Sequence, residues 1–184
     1  MNKIALRKKL IWLHLGFAAF LAPMFFTVAV TGAMDLAGID AKTERTPITL
    51  PAGQMAERGS PSLESDIRTI LQSSDIDHNF EYLRDRGSTI QTRPTSRKHI
   101  NFKRSPDGLQ AEWVKPNLQY SLMELHKGHG PKIFKLYQIL AGISLFFIVL
   151  GGLLIGLLAP AYRNVTLGLC AVGALVFLVL GFVV

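Results

Sequence analysis

Three long apolar runs, at residues 10–33, 134–158 and 165–184, interrupt an otherwise polar chain. A bilayer's hydrocarbon core takes about 20 helical residues, so each run is long enough to span it. The pattern predicts membrane-spanning helices at 10–33, 132–158 and 165–184, a basic tail at 1–9 and a short loop at 159–164. The polar segment 34–131 between the first two spans is long enough for one small folded domain.

Within that segment the periodicity changes twice. Ser60 is placed as a helix N-cap, with Pro61 at the first helical position, and Leu63, Ile67, Ile70 and Leu71 then share one face. "FEYL" and "STIQT", separated by "RDRG", read as a hairpin. A second hairpin is clearer: Ile100 and Phe102 alternate with polar residues, "SPDG" turns, and Leu109, Ala111 and Trp113 alternate on the way back. One helix and about four antiparallel strands give an α+β domain. After Pro116 the spacing becomes helical, and Leu118, Leu122, His126 and His129 fall on one stripe before Gly128 and Gly130-Pro131 weaken the helix.

Charge supplies an orientation. Lys3, Arg7, Lys8 and Lys9 precede the first span and Arg163 sits in the short loop, so both regions belong on the cytoplasmic side. The polar domain and the C-terminus are then exported. Lys127, Lys132 and Lys135 argue the other way, but lysines at helix ends snorkel to the interface. Once the tail and Arg163 are set aside, only +2 of the net +7 remains on the rest of the chain, so the basic surplus is a topology signal and no nucleic-acid partner is expected. The first run, about 21 residues before Thr31, exceeds the roughly 7–15 of a signal peptide and reads as an uncleaved anchor. Cys170 lies in the third span, expected as a small packing residue, and leaves no intramolecular disulfide.

The spans carry their own chemistry. His14 lies about one turn inside the first, and Pro23 near its middle predicts a kink. An ionisable residue within a span is a functional candidate because burying it needs a partner or solvation. His14 is open to an interfacial role or to a haem or metal role. Gly152 and Gly156 form a GxxxG, either for ordinary helix packing or as a face for a flat cofactor or a partner's helix. His126 and His129, at i and i+3, have a spacing that suits a metal ion. On one helix face, however, they cannot fill both axial positions of a single haem. His14 and Gly32 are 18 residues apart, roughly 27 Å of helix, so His14 and the later pair are expected near opposite faces of the membrane. His78 and His99 read as surface residues of the soluble domain.

The order of these motifs resembles the PepSY-associated transmembrane helix proteins of bacterial inner membranes. The carrying residues are "WLHLGFAAFLAPMFFTVAVTGAM", with His14 and Thr31-Gly32 at a matching separation, and "LHKGHG" (125–130), which matches the family's Leu-His-x-Gly before the next helix. The resemblance covers nearly the whole chain. Where the family often follows the first histidine with Arg-Trp, this chain has Leu15-Gly16, and Gly151-Gly152 replaces the Thr-Gly usual late in the second helix. Larger relatives have four helices and further histidines, and some resemble di-haem reductases that carry electrons to iron–siderophore complexes.

The resemblance implies an α-helical integral membrane protein of the inner membrane with an exported PepSY-like α+β domain. It also implies b-type haem at His14 and His126, with His129 as a substitute ligand or supporting residue. One chain lacks the second axial ligands, so a homodimer or larger membrane complex is expected, with a ferric complex or periplasmic protein as acceptor. Two other readings stay open: a non-catalytic membrane-anchored binding module, and a transition-metal site at His126 and His129, with or without His99.

Overall fold

The computed structural model describes residues 3–183, and its longest elements fall on the three apolar runs. Helices α1 (Lys3–Leu36), α4 (Lys132–Leu158) and α5 (Arg163–Phe182) are long and apolar enough to cross a membrane. Between α1 and α4 lie β1 (Thr43–Ile48), α2 (Leu63–Ser73), β2 (Tyr82–Asp85), β3 (Thr89–Arg93), β4 (His99–Ser105), β5 (Gly108–Pro116) and α3 (Leu118–His126). The chain divides into two compact units. One holds the chain up to Met24 and from Ile139 onward, and the other holds Phe25–Gln138.

The second unit is built on one antiparallel sheet of order β1-β5-β4-β3-β2. Both expected hairpins are present, as β2–β3 and β4–β5. The register sets Ile90 opposite Phe102, Phe102 opposite Ala111 and Ala111 opposite Ile48, an apolar row across four strands. The buried face of α2, formed by Leu63, Ile67, Ile70 and Leu71, joins this row in one core. Burying each such side chain contributes roughly 1.5–3 kcal/mol before conformational entropy is counted.

Three expectations need correction. The sheet has five strands rather than about four, because β1 was not legible. "TERTPI" lacks apolar alternation and carries Pro47, features tolerated at a sheet edge, where β1 lies. Helix α2 begins at Leu63, two residues after Pro61, with Ser62 in the N-cap position and no side-chain cap bond. The Ser60 hydroxyl is instead engaged with Ser62.

In the first unit the less exposed positions recur every three or four residues. They include His14, Ala18 and Leu21 on α1, and Ala141, Ser144, Ile148 and Gly152 on α4. Helix α1 continues through Pro23. No residue of α5 is buried, and its apolar surface on every side suits lipid. Cys170 is exposed there, against its expected packing role. The GxxxG glycines serve different neighbours: a Cβ on Gly152 would meet the His14 ring at 3.3 Å, and one on Gly156 would strike the Thr166 hydroxyl of α5 at 2.5 Å.

Candidate functional site

His14 and His126 occupy two separate seats of similar design. In the first unit, His14 Nδ1 lies 3.0 Å from the Ile148 carbonyl oxygen on α4. A carbonyl only accepts, so Nδ1 carries the proton. The ring's Cε1 faces Gly152, one helical turn further on, where only a glycine leaves the ring unhindered room.

In the second unit, His126 Nδ1 is 2.8 Å from the Thr31 hydroxyl. That hydroxyl is buried and donates its single hydrogen to the Thr27 carbonyl at 2.7 Å, so it accepts from His126. The imidazole again faces a glycine: a Cβ on Gly32 would sit 3.4 Å from its Cε1. Thr31-Gly32 is thus the floor of the His126 seat: the threonine fixes the tautomer, and Gly32 lies beside the ring, where an added Cβ would make an ordinary van der Waals contact. In both seats Nδ1–H is engaged, and Nε2 has no hydrogen-bond partner among the described residues. A neutral imidazole held this way presents its lone pair at Nε2, the form required of a metal or haem ligand.

This tautomer is directly measurable. Thr31→Val is expected to leave His126 as a mixture of Nδ1–H and Nε2–H forms, whereas Thr31→Ser keeps the Nδ1–H form. The ring ¹⁵N shifts of His126 report the difference, and a wild-type ring in the Nε2–H form would contradict the assignment.

His129 is placed differently from its expected position. Helix α3 stops at His126, because Gly128 adopts φ +74°, so His129 does not continue the apolar stripe. The stop is a Schellman motif: Gly128 N–H donates to the Leu125 carbonyl at 3.0 Å and His129 N–H to the Glu124 carbonyl at 2.8 Å. That motif brings together side chains five apart, commonly an apolar pair. Here the pair is polar, and His129 Nδ1 donates to Glu124 Oε2 at 2.8 Å.

The Glu124 carboxylate anchors a buried cluster. Thr95 donates its hydroxyl to the same oxygen, Arg93 Nη1 lies 3.6 Å from it, and Arg93 also donates to Thr95 at 2.8 Å. Arg93 and Glu124 are only 3% and 8% exposed. Burial pushes the Glu124 carboxyl up. Thr95, His129 and Arg93 outweigh it and hold the group below its ordinary value, hence ionised. Burial lowers Arg93 in turn, and Glu124 opposes that shift. His126 and His129 therefore engage different partners through Nδ1, and each offers a single donor. No group of three or more His, Cys, Asp or Glu side chains suited to a metal ion occurs among the described residues.

Of His78 and His99, both expected at the surface, His99 is buried and His78 is only partly exposed. His99 is 1% exposed and donates from Nδ1 to the Arg97 carbonyl at 2.9 Å. It lies opposite Val114, which is also fully buried. His78 is half-buried, 2.9 Å from the Thr92 hydroxyl and edge-on to Trp113. Desolvation, with the repulsion a proton would meet from His99, Lys98 and Arg97, lowers its pKa to about 4. The folded value lies below the unfolded 6.5, so this stability is complete above about pH 6.5 and is lost as pH falls toward 4. His78→Gln is expected to flatten thermal stability between pH 6.5 and 5 relative to wild type. An unchanged slope would contradict the shift.

No family model, curated protein or solved structure matches the chain. The roles of these residues therefore rest on their geometry and on the motifs in the sequence.

Proposed function

We propose that the protein is an inner-membrane electron carrier of PepSY-associated type, passing electrons through b-type haem to an exported acceptor such as a ferric complex. The observation that carries this reading is the shared design of the two histidine seats. His14 and His126 are each held through Nδ1, with Nε2 free and a glycine beside Cε1. His14 and His126 fit haem in that each would hold it through its unpartnered Nε2. When bound, haem would supply reversible one-electron chemistry.

The chain's own contribution is positional. The Ile148 carbonyl and the Thr31 hydroxyl orient the imidazoles and keep the proton on Nδ1, which leaves Nε2 as the donor atom. Each seat provides one histidine, so the second ligand comes from another copy of the chain or from a partner subunit. His129 Nδ1 is held by Glu124 in the same manner, so His126 is preferred as the ligand because it, and not His129, stands in the Leu-His-x-Gly motif. The lipid-suited surface of α5 leaves room for such association, and the same feature supports the alternative reading, a membrane-anchored assembly module without a cofactor.

The reduced-minus-oxidised spectrum of protein purified from haem-replete membranes separates the two readings. Electron transfer predicts b-type bands. A stable partner co-purifying without a chromophore supports the module.

A further inference from the structure

Segment 37–131 hides its large apolar side chains well. Among its described residues, only Ile39, Met55 and Leu118 are exposed large hydrophobics, and two of these meet at one place. Helix α1 ends at Leu36, which is 91% exposed, and stops in a Schellman motif of its own: Gly38 N–H donates to the Asp35 carbonyl and Ile39 N–H to the Met34 carbonyl. This turn is tied to the first turn of α3. Gln119 Nε2 donates to the Ile39 carbonyl at 2.8 Å, and Asn117 N–H donates to the Lys42 carbonyl at 3.1 Å. The ties bring Ile39, 51% exposed, alongside the segment that carries Leu118, 75% exposed.

The chain on either side identifies what covers them. Helix α3 is bracketed by the end of one spanning-length helix at Leu36 and the start of another at Lys132. Exposed Lys42, Lys127 and Lys135 surround this junction, with exposed Asp35, Asp40 and Glu44 the opposing charges. Met123 and Glu124 bury the opposite side of α3 in the domain. An apolar edge, a lysine fringe and a fixed connection to membrane-spanning helices match the boundary between acyl chains and phosphate headgroups.

We infer that the α1–α3 junction docks on the bilayer, with Leu36, Ile39 and Leu118 inserted at the headgroup–acyl boundary and the lysines on lipid phosphate. The inference rests on the membrane reading of α1 and α4. It gives α3 a second role: the helix that carries His126 lies on the lipid surface, where water at the seat is restricted.

Spin labels on the full-length chain in liposomes test this. In a Cys170→Ser background, labels are placed at Leu118→Cys and Ile39→Cys. Lys103→Cys on the exposed sheet serves as the water reference and Leu145→Cys on α4 as the lipid reference. The oxygen-to-nickel-chelate accessibility ratio at 118 and 39 is expected to be several-fold above that at 103 and below that at 145. A ratio equal to that at 103 overturns the proposal. So does exclusion of both reagents at 118, which assigns the surface to protein. If the label at 145 also behaves as in water, the membrane reading itself fails.

Discussion

Replacing Glu124 with alanine is expected to destabilise the sheet-containing unit by about 3–5 kcal/mol, the usual result of leaving one partner of a buried ion pair behind. Arg93, 3% exposed, would keep its charge without its counterion, and Thr95 and His129 would each lose an acceptor. Glu124→Gln keeps an acceptor for both and is expected to lose less. An Arg93→Met/Glu124→Leu pair is expected to lose less than Glu124→Ala alone, because no unpaired charge remains. Urea unfolding of the detergent-solubilised full chain, followed by Trp113 fluorescence in a Trp12→Phe background, reads all three. A Glu124→Ala variant within about 0.5 kcal/mol of wild type, the range of ordinary surface changes, would mean the cluster is not a structural anchor.

The cluster also shows where sequence reading stops. "ELHKGH" contains the whole Schellman signal, a glycine two residues past the helix end and a polar pair five apart. Extending the apolar stripe through Gly128 put His129 beside His126, whereas the left-handed glycine turns the chain and hands His129 to Glu124. Arg93 and Thr95 carry no local mark of burial. They join the cluster only because α3 returns to that end of the sheet, a contact between positions about 30 apart in the chain. His99 is buried too, although its strand position alone gave no sign of it.

What periodicity carries strongly was legible. The second apolar run became α4 with the expected bounds, and the third became α5 shifted by two residues. Helix α1 is longer than its apolar run, since the basic residues before it are good helix formers and the helix closes only at Gly38. Both hairpins followed from their turns. Thr31-Gly32 stood out as a motif, but its work is visible only once His126 is seated on it, 95 residues later. Gly151-Gly152 is similar: Gly152 admits the His14 ring, and the hydrogen-bond acceptor is the Ile148 carbonyl rather than a side chain.

The second large effect is expected at the two seats themselves. If His14 and His126 are ligands, removing either imidazole abolishes one site and leaves the other, because the seats share no residue. His129→Ala should leave haem content near wild type, since His126, and not His129, stands in the Leu-His-x-Gly motif. The double variant His14→Ala/His126→Ala should carry none. The loss should exceed the roughly 10–100-fold weakening typical of removing a supporting hydrogen bond.

Haem per chain, measured by reduced-minus-oxidised spectra on haem-replete membranes of wild type, His14→Ala, His126→Ala and the double variant, tests the central claim most directly. The account predicts b-type bands in wild type, about half the signal in each single variant and none in the double. Equal spectra across all four, or no bands in wild type, would contradict it.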